Sequence, residues 1–119
     1  MSNSPQDVHK KVLGKKGEQL VERYVKKLGC KIIYRNYKTP FGEADIVAMQ
    51  KDEIVFIEVK TRTNDMFGAP REAVGKDKQR RYYQIAQFYG KTIGEEPNAR
   101  FDVAEVDGDG NIEYYKNAF

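Results

Sequence analysis

The sequence has little cysteine, no long apolar run and only a small excess of charge. Cys30 is the only cysteine among 119 residues, so no intrachain disulfide can form, which fits a reducing compartment. No stretch reaches the length that spans a membrane, and residues 1–10 lack the apolar core of a signal peptide. We therefore expect a soluble cytoplasmic protein with no membrane partner. The net charge of +3 is too small to identify a nucleic-acid partner by itself.

The length and composition favour one globular domain with a highly charged surface. The chain is 39% apolar and 33% charged, and 119 residues are enough for a single hydrophobic core. Neither an internal repeat nor a low-complexity tract is present. We expect residues 1–8 to form a flexible tail and residues 9–119 to form the domain.

Hydrophobic periodicity predicts the element order α-β-β-β-α-β-β. The expected elements are a helix over residues 9–28, strands over 30–37, 44–49 and 54–61, a helix over 76–89 that stops at Gly90, and strands over 100–106 and 112–115. The second and third strands are apolar on both faces, which is typical of central strands covered by helices on both sides. The pattern therefore predicts a compact α/β sandwich.

Three charged residues, Asp45, Glu58 and Lys60, interrupt these two apolar strands. Charges in such places are costly unless something compensates them. Because side chains alternate along a strand, Glu58 and Lys60 share one face. A hairpin loop centred between residues 51 and 52 places Asp45 opposite Glu58 and Glu43 opposite Lys60, with Cβ atoms about 5 Å apart.

Two opposed carboxylates destabilise a sheet unless a cation lies between them. Mg²⁺ prefers oxygen ligands, is often held by one or two carboxylates and keeps positions for water and phosphate. Lys60, one pleat from Glu58, would stabilise charge on a phosphate. The arrangement is typical of a metal site that cleaves a phosphodiester. The alternative is an ordinary salt bridge between Asp45 and Lys60, with Glu58 at a solvated strand end.

The same residues resemble those of known nucleases. Asp45…Glu58-x-Lys60 is similar to the D…(D/E)-x-K signature of the restriction-endonuclease-like nucleases, and Glu18 matches an acidic residue on a preceding helix in archaeal-type Holliday junction resolvases. A larger set of ordered segments resembles the YraN-like family of predicted bacterial endonucleases, over about residues 14–106. These segments are Gly17-Glu18, Arg35-Asn36-Tyr37, residues 42–48, residues 56–62, Lys78-Gln79-Arg80-Arg81 and Arg100-Phe101-Asp102-Val103.

The resemblance implies a fold, an activity and a site. The fold is restriction-endonuclease-like, with a central mixed five-stranded sheet flanked by helices. The activity is hydrolysis of phosphodiester bonds in DNA by an endonuclease, with Mg²⁺ or Mn²⁺ as cofactor. Asp45 and Glu58 become metal ligands, Lys60 the catalytic lysine, and Glu18 an accessory acid that binds metal directly or through water.

Three further residues take supporting roles in the same resemblance. Glu43 is expected to pair with Lys60 or with Arg62. Gln79 and Tyr83 match the Q-x-x-x-Y spacing of the exonuclease-like branch of the superfamily, and this spacing puts both on one helical face. The alternative for Tyr83 is partial burial as a packing residue.

Basic residues gather near the starts of both helices. The candidate nucleic-acid-binding residues are Lys15, Lys16, Arg62, Lys76, Lys78, Gln79, Arg80 and Arg81. Cations at a helix N-terminus oppose the helix dipole, so their placement favours neutralisation by a phosphate backbone. No base-reading motif is present, which favours recognition of nucleic-acid structure over sequence. The alternative is a solvated basic face.

Two other functions are compatible with the sequence. One is a non-catalytic nucleic-acid-binding or assembly protein that retains the nuclease fold, since function does not follow from fold. The other is a protein stabilised by a metal, with no nucleic-acid role. A homodimer is a further expectation from the resemblance, because resolvase-like folds often dimerise to address two strands.

Overall fold

The chain folds around a five-stranded sheet with a helix on each face. The computed structural model describes residues 5–62 and 74–119, including side chains from residue 14 onward. The elements are α1 (Pro5–Lys27), β1 (Lys31–Thr39), β2 (Gly42–Gln50), β3 (Glu53–Thr61), α2 (Lys76–Ile93), β4 (Ala99–Val106) and β5 (Ile112–Tyr115). The predicted order α-β-β-β-α-β-β is confirmed. Neither of the helices within the described residues has the length and apolar content needed to cross a membrane.

The sheet is mixed, as expected. Its strands lie in the order β1-β2-β3-β4-β5, so neighbours in space are also neighbours in sequence. β3 and β4 are parallel, whereas the other neighbouring strands are antiparallel. A parallel pair needs a crossover connection, and α2 lies within that connection.

Both faces of the central strands are buried under helices. Val21 and Val25 of α1 are inaccessible to solvent and pack in one cluster with Ile46 of β2. A second cluster on the other face contains Val47 of β2 and Phe56 of β3. Its α2 members are Tyr82, Ile85, Ala86 and Tyr89. The expected burial of β2 and β3 on both faces is therefore confirmed.

The helix ends differ from those predicted. α1 begins at Pro5 instead of His9, within the segment expected to be a flexible tail, and residues 1–4 lie outside the described residues. The predicted stop of α2 at Gly90 is wrong, because the helix continues to Ile93 and is capped by Gly94 in a left-handed conformation with φ 80°. Gly90 is buried, and a Cβ there would lie 2.7 Å from Pro97 Cδ. Glycine is thus needed at this position for the close approach of the following loop, which sequence spacing does not reveal.

A buried ion pair fastens the end of the sheet that carries the β2–β3 turn. Asp102 is completely buried, and its Oδ2 lies 2.9 Å from Arg100 Nη2. Arg100 Nη1 also donates to Gln50 Oε1 at 2.8 Å and to Glu53 Oε1 at 3.1 Å, on either side of that turn. The Tyr114 hydroxyl donates to Asp102 from β5. The aspartate therefore has compensating partners for its charge, as burial of a carboxylate requires.

Replacing this aspartate should destabilise the fold strongly. Asp102→Asn leaves the Arg100 guanidinium buried without its counter-charge, and we expect a loss of about 3 kcal/mol in the free energy of unfolding, measured with urea. Glu53→Gln is the matched control, since Glu53 is partly exposed and its pair with Arg100 should contribute less than about 1 kcal/mol. Equal losses in the two variants would show that the buried pair is not what holds this end of the sheet.

Candidate active site

The β2–β3 hairpin brings Asp45 and Glu58 to the point where the two strands separate. The ladder runs from Gln50 opposite Glu53 to Ile46 opposite Ile57, which confirms the register predicted from a turn centred between residues 51 and 52. Asp45 and Glu58 follow the last of these pairs and are not themselves a ladder pair. The predicted direct opposition of the two residues therefore needs correction, because pairing stops one position earlier.

A side chain takes over where the backbone pairing ends. The Val59 N–H of β3 donates to Asp45 Oδ2 at 2.8 Å, instead of to a backbone carbonyl of β2. On its other side β3 stays paired with β4, where Val103 lies opposite Glu58 and Glu105 opposite Lys60. β2 and β3 are therefore separated by a gap at this point, and the Asp45 carboxyl group lies in the gap, held by the Val59 N–H.

Asp45 lies among three other carboxylates. Burial raises its pKa to about 7. The Val59 N–H opposes this shift, and the negative charges of Glu58, Glu18 and Glu43 add to it. These four acidic residues, Asp45, Glu58, Glu18 and Glu43, are called the carboxylate cluster below. Mutual repulsion of this kind destabilises the ionised form unless a cation is nearby.

Glu18 reaches the cluster because α1 approaches the end of β3 closely. A Cβ at Gly17 would lie only 2.6 Å from Thr61 Cγ2, so the glycine permits this contact. Burial raises the pKa of Glu18, and the charges of Glu43 and Glu58 raise it further. The expected role of Glu18 as an accessory acid stays a prediction, but its position on the sheet side of α1 agrees with it.

Asn36 joins two members of the carboxylate cluster. With its amide nitrogen turned toward them, the side chain donates to Glu18 Oε1 at 2.9 Å and to Glu43 Oε1 at 3.0 Å. Its backbone has a φ of 50°, in the left-handed region that asparagine tolerates better than most residues. In the sequence, Asn36 stands out only as part of a segment that resembles the family. Its left-handed conformation within a strand has no signature in hydrophobic periodicity.

Glu43 pairs with neither of its expected partners in the described structure. Arg62 forms an ion pair with Glu105 at 3.2 Å, in a largely buried position. No contact between Glu43 and Lys60 is found in the described ranges 5–62 and 74–119, so neither expected pairing is present. The alternative salt bridge between Asp45 and Lys60 is likewise absent from these ranges. Lys60 lies one pleat along β3 from Glu58, beside Glu105 of β4.

Glu58 is held by two residues of α2. The Tyr82 hydroxyl donates to Glu58 Oε2, and Lys78 Nζ lies 2.5 Å from Glu58 Oε1. Burial raises the pKa of Tyr82, and the Glu58 charge raises it further. Tyr82 therefore ties α2 to β3. Helical spacing in the sequence marks Tyr82 only as an apolar packing position of α2, although a buried tyrosine hydroxyl normally has a polar partner.

The predicted pair Gln79 and Tyr83 does not contact the carboxylate cluster in the described structure. Gln79 Nε2 donates to the Val74 carbonyl just before α2, at 2.8 Å. Tyr83 is 44% exposed, and its ring packs edge-on against Phe101 with centroids 5.0 Å apart. The packing alternative therefore describes Tyr83 better than a role at the cluster does.

The predicted basic residues take different positions. Lys78 is part of the site through Glu58, and the stem of Arg81 packs against Gly42, where a Cβ would lie 2.5 Å from Arg81 Cδ. Lys15 is exposed and lowers the pKa of Glu18. Of the other basic residues predicted to bind nucleic acid, Lys16, Lys76 and Arg80 are exposed. Most of the predicted basic residues thus stay available for a polyanion.

The carboxylate cluster has the oxygen ligands that a hard divalent cation prefers, but it is not a preformed metal site. Carboxylate oxygens are the ligands that Mg²⁺ and Mn²⁺ prefer, and Mg²⁺ needs only one or two of them. Within the described part of the chain, however, no group of three or more His, Cys, Asp or Glu residues is arranged to hold a metal ion. Asp45 and Glu58 are the pair that would bind it. Since Lys78 already contacts Glu58, a bound cation would replace the lysine ammonium there.

Removing the charge of Asp45 should stabilise the metal-free protein in a pH-dependent way. A pKa raised from 3.8 to about 7 means that the folded state holds a proton that the unfolded state releases, so stability is lost as pH rises through this window. Asp45→Asn keeps an oxygen for the Val59 N–H. In the presence of chelator at about pH 8, we expect the free energy of unfolding of Asp45→Asn, measured with urea, to exceed that of wild type by about 2 kcal/mol. At about pH 5 the difference should be much smaller.

The exposed turn residue Asp52 supplies the control for this comparison. Asp52→Asn should leave stability unchanged within about 0.5 kcal/mol at both pH values. An Asp45→Asn variant that is less stable than wild type at the higher pH would contradict the repulsion described for the carboxylate cluster.

Loss of one hydroxyl should weaken the connection between α2 and the gap. Tyr82→Phe keeps the buried ring but leaves Glu58 without that partner, and we expect a loss of about 2 kcal/mol in urea unfolding. Tyr83→Phe, at the exposed neighbouring position, should cost less than about 0.5 kcal/mol. Similar values for both variants would remove Tyr82 from the site.

Comparison with known proteins identifies relatives of the whole chain. Residues 17–106 match the family described as Uncharacterised protein family UPF0102. A UPF0102 protein of Desulfosudis oleivorans is 46% identical over 108 residues, covering 89% of this chain and 88% of the relative. A UPF0102 protein of Dictyoglomus thermophilum is 42% identical over 118 residues, covering 94% of this chain and 100% of the relative. The family match covers most of the chain, and the chain belongs to the UPF0102 family.

Proposed function

We propose that this protein is a divalent-metal-dependent nuclease that hydrolyses phosphodiester bonds of DNA at the carboxylate cluster. The observation that carries the proposal is the excess of negative charge around Asp45, at the gap between β2 and β3. The restriction-endonuclease-like signature Asp45…Glu58-x-Lys60 supports it from the sequence.

Asp102 and Asp45, two aspartates of the sheet, have contrasting surroundings. Asp102 has Arg100 and Tyr114 as partners, so its burial is explained by stability alone. Asp45 has the Val59 N–H but also three carboxylate neighbours, which makes its ionised form unfavourable in the isolated protein. A group whose pKa is displaced by burial and like charges, beside a cationic surface, is characteristic of a functional site.

In the proposed mechanism, each residue near the gap has a distinct role. Asp45 and Glu58 hold the cation, while Tyr82 and the Val59 N–H keep the two carboxyl groups oriented. When bound, Mg²⁺ or Mn²⁺ supplies Lewis acidity and a more acidic water. Lys60, on the same strand face as Glu58, stabilises negative charge on the phosphate as it is attacked. Glu18 orients water at the edge of the cluster.

The exposed basic residues on the helices near the site favour a polyanion as its ligand. Lys15, Lys16, Arg80 and Arg81 are exposed on the two helices that reach the cluster. Contacts from such residues to phosphates produce affinity that depends on salt but not on sequence. Nucleic-acid structure is therefore the proposed determinant of recognition.

The test is a cleavage screen with charge-neutral variants. Wild-type protein is incubated with nicked, flapped, branched and single-stranded DNA and RNA, with Mn²⁺ or chelator. We expect Mn²⁺-dependent products that fall by at least about 100-fold in Glu58→Gln and in Lys60→Met.

Each variant has a matched control away from the cluster. Glu96→Gln and Lys91→Met change exposed residues near the C-terminal end of α2, and both should cleave like wild type. Products that persist unchanged in Glu58→Gln would come from another site or from a contaminating nuclease, and would refute the assignment.

A second candidate function is favoured by the contacts of Glu58. Both of its carboxylate oxygens are already engaged, one by Lys78 and one by Tyr82. A protein that binds nucleic acid without catalysis would keep Glu58 in this state. Salt-sensitive binding of nucleic acid without cleavage of any substrate in Mg²⁺ or Mn²⁺ would establish this function in place of the nuclease.

A further inference from the structure

The β1–β2 hairpin presents an exposed aromatic ring on a fixed turn. Phe41, at the tip, is 46% exposed. The Thr39 hydroxyl accepts the Phe41 N–H at 3.1 Å and donates to the Gly42 carbonyl at 2.8 Å, so the turn is held by its own side chain. The ring is therefore presented to solvent without a rearrangement of the backbone being needed to expose it.

The ring is supported from behind by α2. Phe88 lies edge-on to Phe41 with centroids 6.5 Å apart, and Tyr37 of β1 lies 6.5 Å from the same Phe88 ring. Tyr37 in turn stacks on Tyr34 at 4.7 Å. These contacts hold one side of Phe41 against the protein and leave its remaining surface open.

The surroundings of Phe41 are cationic and adjoin the carboxylate cluster. Arg81 packs its aliphatic stem on Gly42, is exposed, and forms no ion pair in the part of the chain that the structure describes. Lys38 precedes the tip and is also exposed. On the other side of the tip, Glu43 belongs to the cluster. The exposed ring thus lies near positive side chains and two residues along the chain from Glu43 of the cluster.

The geometry points to Phe41 as a stacking platform for an unpaired nucleobase, with Arg81 contacting the adjoining phosphate. Aromatic rings beside arginine and lysine are the usual means of binding single strands, because every base has a face on which a ring can stack. Bases inside a duplex are already stacked on one another, so such a ring favours a single strand, flap or branch. The inference rests on the proposed nuclease function and specifies its substrate class. A protein partner is the less favoured occupant, because an apolar peptide would leave Arg81 and Lys38 without counter-charge.

The binding experiment uses equilibrium titration of labelled DNA in buffer containing Ca²⁺, which is also a hard cation for carboxylates. The probes are a single-stranded oligonucleotide, a duplex with a single-stranded flap and a blunt duplex, with their integrity checked on a gel. Phe41→Ala should bind the first two about tenfold more weakly, equivalent to about 1.4 kcal/mol, and the blunt duplex unchanged. Leu28→Ala is the control, since Leu28 is 48% exposed and contacts Gln50 at the opposite end of the sheet.

A second variant reports on stacking directly. The protein contains no tryptophan, so Phe41→Trp introduces a single tryptophan at the tip, whose fluorescence can be excited selectively over that of the tyrosines. The tryptophan fluorescence should be quenched by the single-stranded and flapped probes. The affinity of the Phe41→Trp protein for these probes should match or exceed that of wild type. Equal weakening of all three probes by Phe41→Ala, or tryptophan fluorescence unchanged on saturation with single strands, would overturn the inference.

The outcomes separate this inference from the nuclease proposal. Quenching by single strands without cleavage in Mn²⁺ would support the stacking platform and refute the nuclease. Cleavage that requires Glu58, with equal activity of Phe41→Ala on flapped and blunt duplexes, would refute the platform alone. Failure of the wild-type protein to bind any of the probes would refute both.

Discussion

The hydrogen bond from the Val59 N–H to the Asp45 carboxylate is the contact around which the site is organised. It occupies the place where β2 and β3 stop pairing, and it fixes an acidic side chain at a central strand of the sheet. Tyr82 holds Glu58 across the same gap from α2. The close approach of α1 at Gly17 brings Glu18 to the same end of the sheet. Residues of β3, α2 and α1 thus meet at the end of the sheet where Asp45 lies, and the hydrogen-bond partner of Asp45 itself is a backbone group.

The two ends of the sheet solve the problem of buried charge in different ways. Near the β2–β3 turn, Arg100 neutralises Asp102 and also holds the turn, so the charges stabilise the fold. At the other end, the ammonium in contact with Glu58 belongs to the partly exposed Lys78, and Asp45 has acidic neighbours. A side chain that is 38% exposed can move away at little cost, which makes its contact with Glu58 easy to exchange for a cation. The stabilising ion pair and the candidate site therefore lie at opposite ends of the sheet.

The features of the structure that follow local rules, such as strand alternation and hairpin register, were predictable from the sequence. Alternation along β3 places Glu58 with Lys60, and a symmetric turn sets the register of the β2–β3 hairpin. What the register could not show is where pairing stops, because that depends on Asp45 taking a bond from the backbone. Tyr82 and Asn36 were missed as polar contacts because their partners come from distant segments. Their contacts depend on how α2 crosses the sheet and on the left-handed backbone of Asn36, and neither feature has a local sequence signal.

Mn²⁺ binding followed by calorimetry at about pH 8 tests most directly whether the carboxylate cluster holds a cation, since this pH lies above the raised pKa of Asp45, which is about 7. The comparison is between wild type, Asp45→Asn and the exposed control Asp52→Asn. We predict saturable binding to wild type and to Asp52→Asn, released by chelator, and its loss in Asp45→Asn, which keeps the bond from Val59 but not the charge. Equal binding by wild type and Asp45→Asn, or binding by none of the three proteins, would contradict the account.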